Sequence, residues 1–387
     1  MTLKRNSKLF LVLFLGTLSA FGPFVTDLYL PALPTMSSYF NSSTSTIQLT
    51  LTGSMVGLAL GQLLIGPISD KYGRKNPLII SLIVYLISTI AIILFPNVYA
   101  MIVLRFIQGV SSAGAVVISR AISTDLYHGR ELAAFFALLM AVNGLAPILS
   151  PILGSVLLEL TDWRGIFITL ALIGVILLAV SFKFNESLAI EKRLDLPITK
   201  TYYSIVHVMK NRLFFALVIV QGFALAAMFA YIAASPFILQ THYSLSPLMY
   251  SLCFGLNGFA IVLGSKSAGN FKEKVSIKLG LSLMLLVSIY LAVALTLTLP
   301  FLFIEVGFFL LLLGLGFILP AGSAIAMSLE RERAGSASAF FGFVPFFLGG
   351  VVSPLVGIGN IFHSSAIAIV VCSAISFVTF KLVEKKI

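Results

Sequence analysis

The sequence predicts an all-α membrane protein with twelve transmembrane helices in two halves of six. Hydrophobic residues make up 59% of the 387-residue chain and charged residues only 10%, whereas soluble domains carry about 25% charged residues. The apolar runs are continuous and near or above the ~20 residues that a helix needs to cross a bilayer. They are too many for one targeting signal, and a β-barrel would need short alternating segments instead.

The predicted spans follow one another with short connections. They cover residues 9–34, 45–66, 77–95, 98–122, 132–158, 163–183, 212–239, 247–268, 276–298, 301–327, 335–358 and 362–381. A longer, charged stretch separates the sixth span from the seventh. We therefore predict an N-terminal six-helix bundle (1–183), a cytoplasmic linker (184–211) and a C-terminal six-helix bundle (212–387), which is the layout of transporters that rock around a midplane site.

Basic residues give the chain its predicted orientation. With the N-terminus in the cytoplasm, all of the 25 Lys and Arg residues except Arg105 and Arg164 fall on the cytoplasmic side, as the positive-inside rule requires. Both termini are then cytoplasmic. This bias explains the net charge of +11 without any nucleic acid or anionic partner.

The sequence does not favour an enzyme, a primary pump or a channel. The four histidines lie in loops or at span ends, and neither a zinc-protease motif nor a Walker-type glycine loop is present. No segment is long enough for a nucleotide-binding domain, and no pore loop or charged ring stands out. The two cysteines lack metal-ligand spacing. We expect neither a metal nor an organic cofactor, with a proton gradient as the energy source.

The loop between spans 2 and 3 reads GPISDKYGRKN, with the pattern G-x-x-x-D-K-x-G-R-K. Gly73 permits a tight turn, and Asp70 can accept hydrogen bonds from backbone N–H groups at a neighbouring helix end. Arg74 and Lys75 supply cytoplasmic charge. A plain positive-inside turn is the simpler interpretation, but the full spacing is much more specific.

In this loop the chain resembles the major facilitator superfamily. The residues that match its signature are Gly66, Asp70, Lys71, Gly73, Arg74 and Lys75. RFIQGVSSAG in span 4 is similar to the superfamily's span 4 motif, and NGLAPILSPILG in span 5 is similar to the proline- and glycine-rich motif of its proton-driven drug exporters. TDLYLPALP and YIAASPFILQ resemble the Bcr/CflA branch, the bicyclomycin and chloramphenicol resistance type. Span 5 departs from the pattern with LAP where many exporters have a glycine, and GNFKEK is a decayed second copy of the loop.

The resemblance implies a major facilitator fold of two pseudo-symmetric six-helix bundles and a proton-coupled exporter that works by alternating access. The substrate would be a small, largely apolar drug or metabolite. The protein would be a monomer in the bacterial cytoplasmic (inner) membrane. An importer or facilitator of a specific solute, or a lipid transporter, on the same fold remains the alternative.

Arg105 and Asp27 are the predicted proton-coupling residues. An arginine within a span should face the interior or a wet cavity, because facing lipid is expensive. Gln108 and Ser112 share its helical face. Burial and a nearby arginine act on an aspartate in opposite directions, so Asp27 could titrate. The alternatives are that Arg105 snorkels or joins two helices, and that Asp27 lies at the outer mouth.

The predicted substrate cavity consists of polar residues on both halves. They are Gln108, Ser112, Asn143, Gln221, Tyr231 and Asn257. Asn143 and Pro147 share one face of span 5 with small residues, a pattern that packing alone would also explain, and we group Pro147 with the conformational motif. Glu305 is a second intramembrane carboxylate, which we interpret as an interface residue with water access, with a second titrating group as the alternative.

Overall fold

The computed structural model of the protein describes residues 7–193, 198–330 and 333–386. Regular structure in these residues is entirely helical. Twelve helical segments among them are long and apolar enough to cross a membrane. The predicted all-α membrane fold with twelve spans is therefore confirmed.

The described residues of the first half of the chain form seven α-helices. They are α1 (Lys8–Asp27), α2 (Leu33–Tyr39), α3 (Thr44–Tyr72), α4 (Lys75–Leu94), α5 (Val98–Leu126), α6 (Gly129–Leu160) and α7 (Trp163–Lys183). A single 3-10 turn, Leu30–Ala32, connects α1 to α2. The first membrane span therefore includes α1, this turn and α2, from Lys8 to Tyr39.

The second half of the chain contains the remaining helices. They are α8 (Ile198–Met209), α9 (Arg212–Pro236), α10 (Pro247–Ala268), α11 (Glu273–Thr296), α12 (Phe301–Leu329), α13 (Ala334–Leu355) and α14 (Ile361–Val383). Helix α8 lies within the predicted linker and is an element that the sequence interpretation did not include. Val208 on α8 is fully buried, so apolar packing holds this helix.

The helices form two compact units. One contains the described residues of Met1–Leu30 and Gly53–Thr201, and the other those of Pro31–Thr52 and Tyr202–Ile387. In the first unit α1 packs on α5 and α6, and α4 packs on α5 and α7. In the second unit α12 packs on α10 and α11, and α9 packs on α13 and α14. The predicted domain boundaries at residues 183 and 212 stay a prediction.

Three glycines bring α3 and α5 into close contact in the first unit. Gly53, Gly57 and Gly61 recur every four residues on α3, and a Cβ at each would collide with backbone carbonyls of α5. Small residues let helices approach closely in a membrane, where van der Waals contact replaces the hydrophobic effect as the driving force. This contact holds α5, the helix that carries Arg105, at a fixed distance from α3.

A proline near the end of α9 changes the helix from α to π. After Pro236 the N–H of Phe237 bonds to the carbonyl of Ala234, and Phe237–His242 is a π-helix. The carbonyl of Ala233 accepts instead from the Gln48 side chain at 2.9 Å. The YIAASPFILQ stretch therefore contains the end of α9, where the Ala233 carbonyl loses its helical hydrogen bond and gains one from the Gln48 side chain.

Candidate functional site

Asp27 is the last residue of α1, at a break in the middle of the first span. Its side chain is 8% exposed, and twelve residues of the span, up to Tyr39, follow it. Pro34 lies in the first turn of α2, where a missing N–H costs nothing. The break therefore lies on the C-terminal side of Asp27, and the carboxylate itself is inside the protein.

Arg105 on α5 is fully buried and is held without a carboxylate. Its Nη1 donates to the backbone carbonyl of Val25 at 2.9 Å and to Oε1 of Gln108 at 2.6 Å. The guanidinium lies 4.2 Å from the ring centre of Tyr29 and 5.7 Å from that of Phe167. Arginine suits this position because its planar group can donate hydrogen bonds and stack on rings at once.

The break in α1 explains why Val25 is a partner of Arg105. The last four carbonyls of a helix accept no hydrogen bond from within that helix, and the C-terminal end of the helix carries partial negative charge. Because α1 ends at Asp27, the Val25 carbonyl is one of these four. Arg105 thus places a positive charge at the negative end of α1, beside Asp27.

Gln108 positions Arg105. Its Oε1 accepts from Arg105, and its Nε2 donates to the hydroxyl of Thr89 on α4 at 2.7 Å. That hydroxyl donates in turn to the carbonyl of Tyr85. Both ends of the Gln108 amide are therefore engaged. Ser112 is also buried, and its hydroxyl donates to the carbonyl of Gly109 in its own helix.

Asp27 and Arg105 interact electrostatically without forming an ion pair. The charge of Arg105 acts on the Asp27 carboxyl, but the ion pairs within 4.0 Å in the described part of the chain do not include the two. The Nε and Nη2 atoms of Arg105 are buried and have no hydrogen-bond acceptor there. The arginine therefore keeps donor atoms and an unneutralised charge next to an acid.

Helix α6 contacts α1 on both sides of Asp27. The side-chain amide of Asn143 donates to the hydroxyl of Ser19 and to the carbonyl of Leu139. A Cβ at Gly154 would collide with the carbonyl of Leu28. Pro147 lies inside α6 between these two contacts. The span 5 motif thus packs against the broken helix, which gives Asn143 a structural contact in addition to its predicted cavity role.

The other predicted cavity residues lie in the second unit and fall into two places. Asn257 donates to the hydroxyl oxygen of Tyr231 at 3.0 Å and to Oε1 of Glu305 at 2.9 Å. Gln221 lies ten residues before Tyr231 on α9, and its amide donates to Ser323 at 3.5 Å. The six proposed cavity residues are thus divided equally between the units, and their joint role remains a prediction.

Glu305 is not the water-exposed interface residue that the sequence interpretation expected. Its side chain is 5% exposed, although it is only the fifth residue of α12. The contacts of Asn257 and Tyr231 keep it inside the unit. Its position near a span end suggested exposure, and tertiary packing overrode that signal.

The loop motif forms a charged network at the end of α3. Gly73 has a φ of +89°, a conformation that glycine adopts without strain. Arg74 donates to Asp70 at 2.5 Å, to Ser69 at 2.8 Å and to Asp125 of α5 at 2.9 Å. Burial would lower the pKa of Arg74, but the hydrogen bonds and charges of Asp125 and Asp70 raise it above its ordinary value. Arg74 therefore stays charged.

Glu186 performs the backbone capping that Asp70 was expected to provide. It accepts from the backbone N–H groups of Arg74 at 2.9 Å and Lys75 at 3.1 Å, at the N-terminal end of α4 where negative charge is favourable. Lys75 donates to the carbonyl of Phe182 at 2.8 Å. Sequence reasoning missed Glu186 and Asp125. Their only signal was that each is a rare acid directly after an apolar span.

The remaining members of the loop motif have simpler contacts. The Nζ of Lys71 lies 5.9 Å from the ring centre of Tyr72. A Cβ at Gly66 would be in ordinary contact with Val117. Gly66 lies where α3 approaches α5, and Lys71 contributes positive charge. Arg74 makes the side-chain hydrogen bonds of the motif.

Comparisons with known proteins assign the chain to a family. The model of the Major Facilitator Superfamily matches residues 9–354. An uncharacterized MFS-type transporter, YdgK, of Bacillus subtilis (strain 168) is 36% identical, covering 92% of this chain and 90% of that protein. A bicyclomycin resistance protein homolog of Haemophilus influenzae is 28% identical over 70% of this chain and 69% of that protein.

Solved structures agree on the fold. A bacterial homolog of the human lysosomal transporter Spinster superposes with a TM-score of 0.73, at 15% identity, over 97% of this chain and 98% of that one. With the family match and the twelve spans, this confirms the predicted major facilitator fold. The similarity to the bicyclomycin resistance protein homolog confirms the resemblance to the Bcr/CflA branch. The chain belongs to the Major Facilitator Superfamily and is a membrane transporter, not an enzyme.

Proposed function

We propose that this protein is a proton-coupled exporter of small, largely apolar drugs or metabolites that works by alternating access. The observation that carries the proposal is the pair at the break of α1. Asp27 is buried beside Arg105, whose hydrogen bonds go to Val25 and Gln108 rather than to an acid. The similarity to a bicyclomycin resistance protein homolog supports a drug-like substrate.

Coupling follows from competition at Asp27. A buried carboxylate needs a compensating charge, which Arg105, a proton or a bound substrate can supply. If the proton and the substrate exclude each other, protonation of Asp27 from outside releases the substrate. One charge moved across 100 mV is worth about 2.3 kcal/mol, enough for roughly fifty-fold accumulation.

The remaining residues have supporting roles in this proposal. Arg105 acts on Asp27, Gln108 orients Arg105, and Ser112, Asn143, Gln221, Tyr231 and Asn257 line the substrate path. The loop from Gly66 to Lys75, with Pro147 on α6, governs the conformational change. We further propose that the protein is a monomer in the bacterial cytoplasmic (inner) membrane, with both termini in the cytoplasm and no cofactor beyond the proton gradient.

Drug accumulation tests the proposal. Cells that lack their own efflux pumps would express the wild type or Asp27→Asn, and we would measure uptake of bicyclomycin, chloramphenicol and ethidium. The wild type should lower accumulation of at least one compound, and less so as external pH rises, because fewer protons reach Asp27. Asp27→Asn should abolish the part of efflux that depends on the proton gradient.

The matched control is Glu159→Gln, which removes an exposed carboxylate from the same unit and should transport as the wild type does. Raised accumulation of a compound by the wild type would instead indicate an importer. Full coupled efflux by Asp27→Asn would show that the coupling acid lies elsewhere.

A further inference from the structure

The described residues of the other unit contain two buried carboxylates, and one of them, Glu330, pairs with Arg333 whereas the other, Glu305, does not pair with a cation among these residues. Glu305 is 5% exposed, and the ion pairs within 4.0 Å in the described residues do not include it. An ionised carboxylate that is removed from water without a cation is strongly disfavoured. The position therefore needs either a compensating cation or a proton.

The hydrogen bonds around Glu305 leave two acceptors without an N–H or O–H donor. The amide nitrogen of Asn257 uses both hydrogens, one on Oε1 of Glu305 and one on the hydroxyl oxygen of Tyr231. Oε2 of Glu305 and Oδ1 of Asn257 are buried, and neither accepts from an N–H or O–H group among the described residues. The thiol of Cys253, a weak donor, also interacts with the carboxyl of Glu305. Both atoms accept hydrogen bonds when the carboxylate is ionised, so neither can satisfy the other.

A single proton supplies the donor that this pair lacks. Protonation turns Oε2 into an O–H donor while Oε1 continues to accept from Asn257. A carboxylic acid and a primary amide can form two hydrogen bonds at once. The amide N–H donates to one oxygen of the acid, and the O–H of the acid donates to the amide oxygen. A metal cation is a poor alternative, because sodium- or calcium-sized ions take about six or more oxygen ligands, whereas Glu305, Asn257 and Tyr231 present few.

We propose that Glu305 binds and releases a transported proton, as a site separate from Asp27, and that Asn257 is the hydrogen-bond partner of the protonated form. The step takes a proton from water, forms one O–H bond on the carboxylate and breaks it again on release. This inference rests on the proposed antiport, and it makes the exchange two protons per substrate.

The other titratable groups near Glu305 do not compete in the neutral range. Tyr231 on α9 and Tyr250 and Cys253 on α10 act on one another or on Glu305. Tyrosine and cysteine ordinarily lose their protons only above about pH 8. On α11, the hydroxyl of Tyr290 donates to the carbonyl of Phe303 at 3.0 Å. None of these groups is a cation.

The surroundings of the pair are otherwise aromatic. The ring of Tyr231 packs against Phe254 at 5.9 Å and Phe308 at 4.7 Å between centres. His242, which follows α9 in the chain, packs on Tyr243 and Phe362. Glu305 is only 5% exposed beside these rings, so its charge depends chiefly on its own proton.

Infrared difference spectra of the purified full-length protein in lipid test the site directly. Between about pH 5.5 and 9, exposed carboxyls stay ionised, so a C=O band that grows on acidification reports a buried acid. Asp27→Asn should keep such a band, and Asp27→Asn combined with Glu305→Gln should lose it. Asn257→Leu should shift the frequency of the band, because the amide partner is gone.

The control is Glu273→Gln, which removes an exposed carboxylate from α11 and should leave the band unchanged. If Glu305→Gln fails to fold, Glu305→Asp serves instead and should move the band without removing it. Identical spectra for Asp27→Asn and the double variant would overturn the proposal.

Transport in proteoliposomes tests whether this proton is carried. With two protons per neutral substrate, a gradient of one pH unit supports about 100-fold accumulation, and with one proton about 10-fold. Glu305→Gln should lower the limiting ratio accordingly, and an unchanged ratio would refute a transported proton at Glu305. If the wild type moves none of the compounds, the proposed antiport fails while the infrared result still decides whether Glu305 titrates.

Discussion

Replacing Arg105 by lysine separates the charge of this side chain from its geometry. Lysine keeps one positive charge but carries it on a compact ammonium, without the planar fork of arginine. It can reach one acceptor, such as the Val25 carbonyl that Arg105 now contacts at 2.9 Å. The bond to Gln108 and most of the stacking on Tyr29 and Phe167 are lost.

The size of the effect follows from these contacts. A hydrogen bond to a charged group contributes about 1.5–3 kcal/mol, and a desolvated cation–π contact contributes about 0.5–2 kcal/mol. Arg105 is fully buried, so solvent screening does not reduce these values. We therefore expect Arg105→Lys to lower the free energy of unfolding by about 2–5 kcal/mol.

A double-mutant cycle with Gln108→Leu isolates the interaction between the two side chains. The four proteins would be unfolded with a chemical denaturant in mixed micelles. Because the Gln108 amide holds the guanidinium at 2.6 Å, the double variant should lose less stability than the two single losses combined. The expected coupling energy is about 1–3 kcal/mol.

Two results would refute this reasoning. Additivity of the two losses to within about 0.5 kcal/mol would mean that Gln108 does not position Arg105. Equal proton-dependent efflux by Arg105→Met and the wild type would mean that the charge does not act on Asp27. Arg105→Lys should retain part of that efflux, because the charge remains.

Two further substitutions test the packing and the loop network. Gly57→Val should lower the unfolding temperature and expression, because its side chain would collide with the carbonyl of Phe106. Gly144→Val is the control, since a Cβ there meets nothing within 4 Å. Equal losses for the two variants would refute close α3–α5 packing. Asp125→Asn should cost about 1.5–3 kcal/mol in the same denaturation assay, because the 6%-exposed Arg74 side chain loses one charged acceptor and keeps Asp70. An unchanged midpoint would show that Asp70 alone suffices.

The sequence alone determined the membrane fold, because the length and hydropathy of a span are local properties. Twelve runs near or above about 20 residues indicate twelve crossings wherever they lie in the final structure. The loop from Gly66 to Lys75 was recognisable for a similar reason, since Gly73 and Arg74 lie close together in the chain. The burial of Arg105 also followed from the sequence, because lipid exposure of an arginine is expensive.

Only the tertiary structure decided which groups these side chains contact. Arg105 contacts Val25, Gln108 contacts Thr89, and the start of α4 contacts Glu186. No rule of sequence spacing connects residues that lie so far apart in the chain. Glu305 shows the same limit: near a span end it resembles an interface residue, yet Asn257 from another helix holds it inside. Burial depends on neighbouring helices, so the sequence determined the spans and the tertiary structure decided the partners.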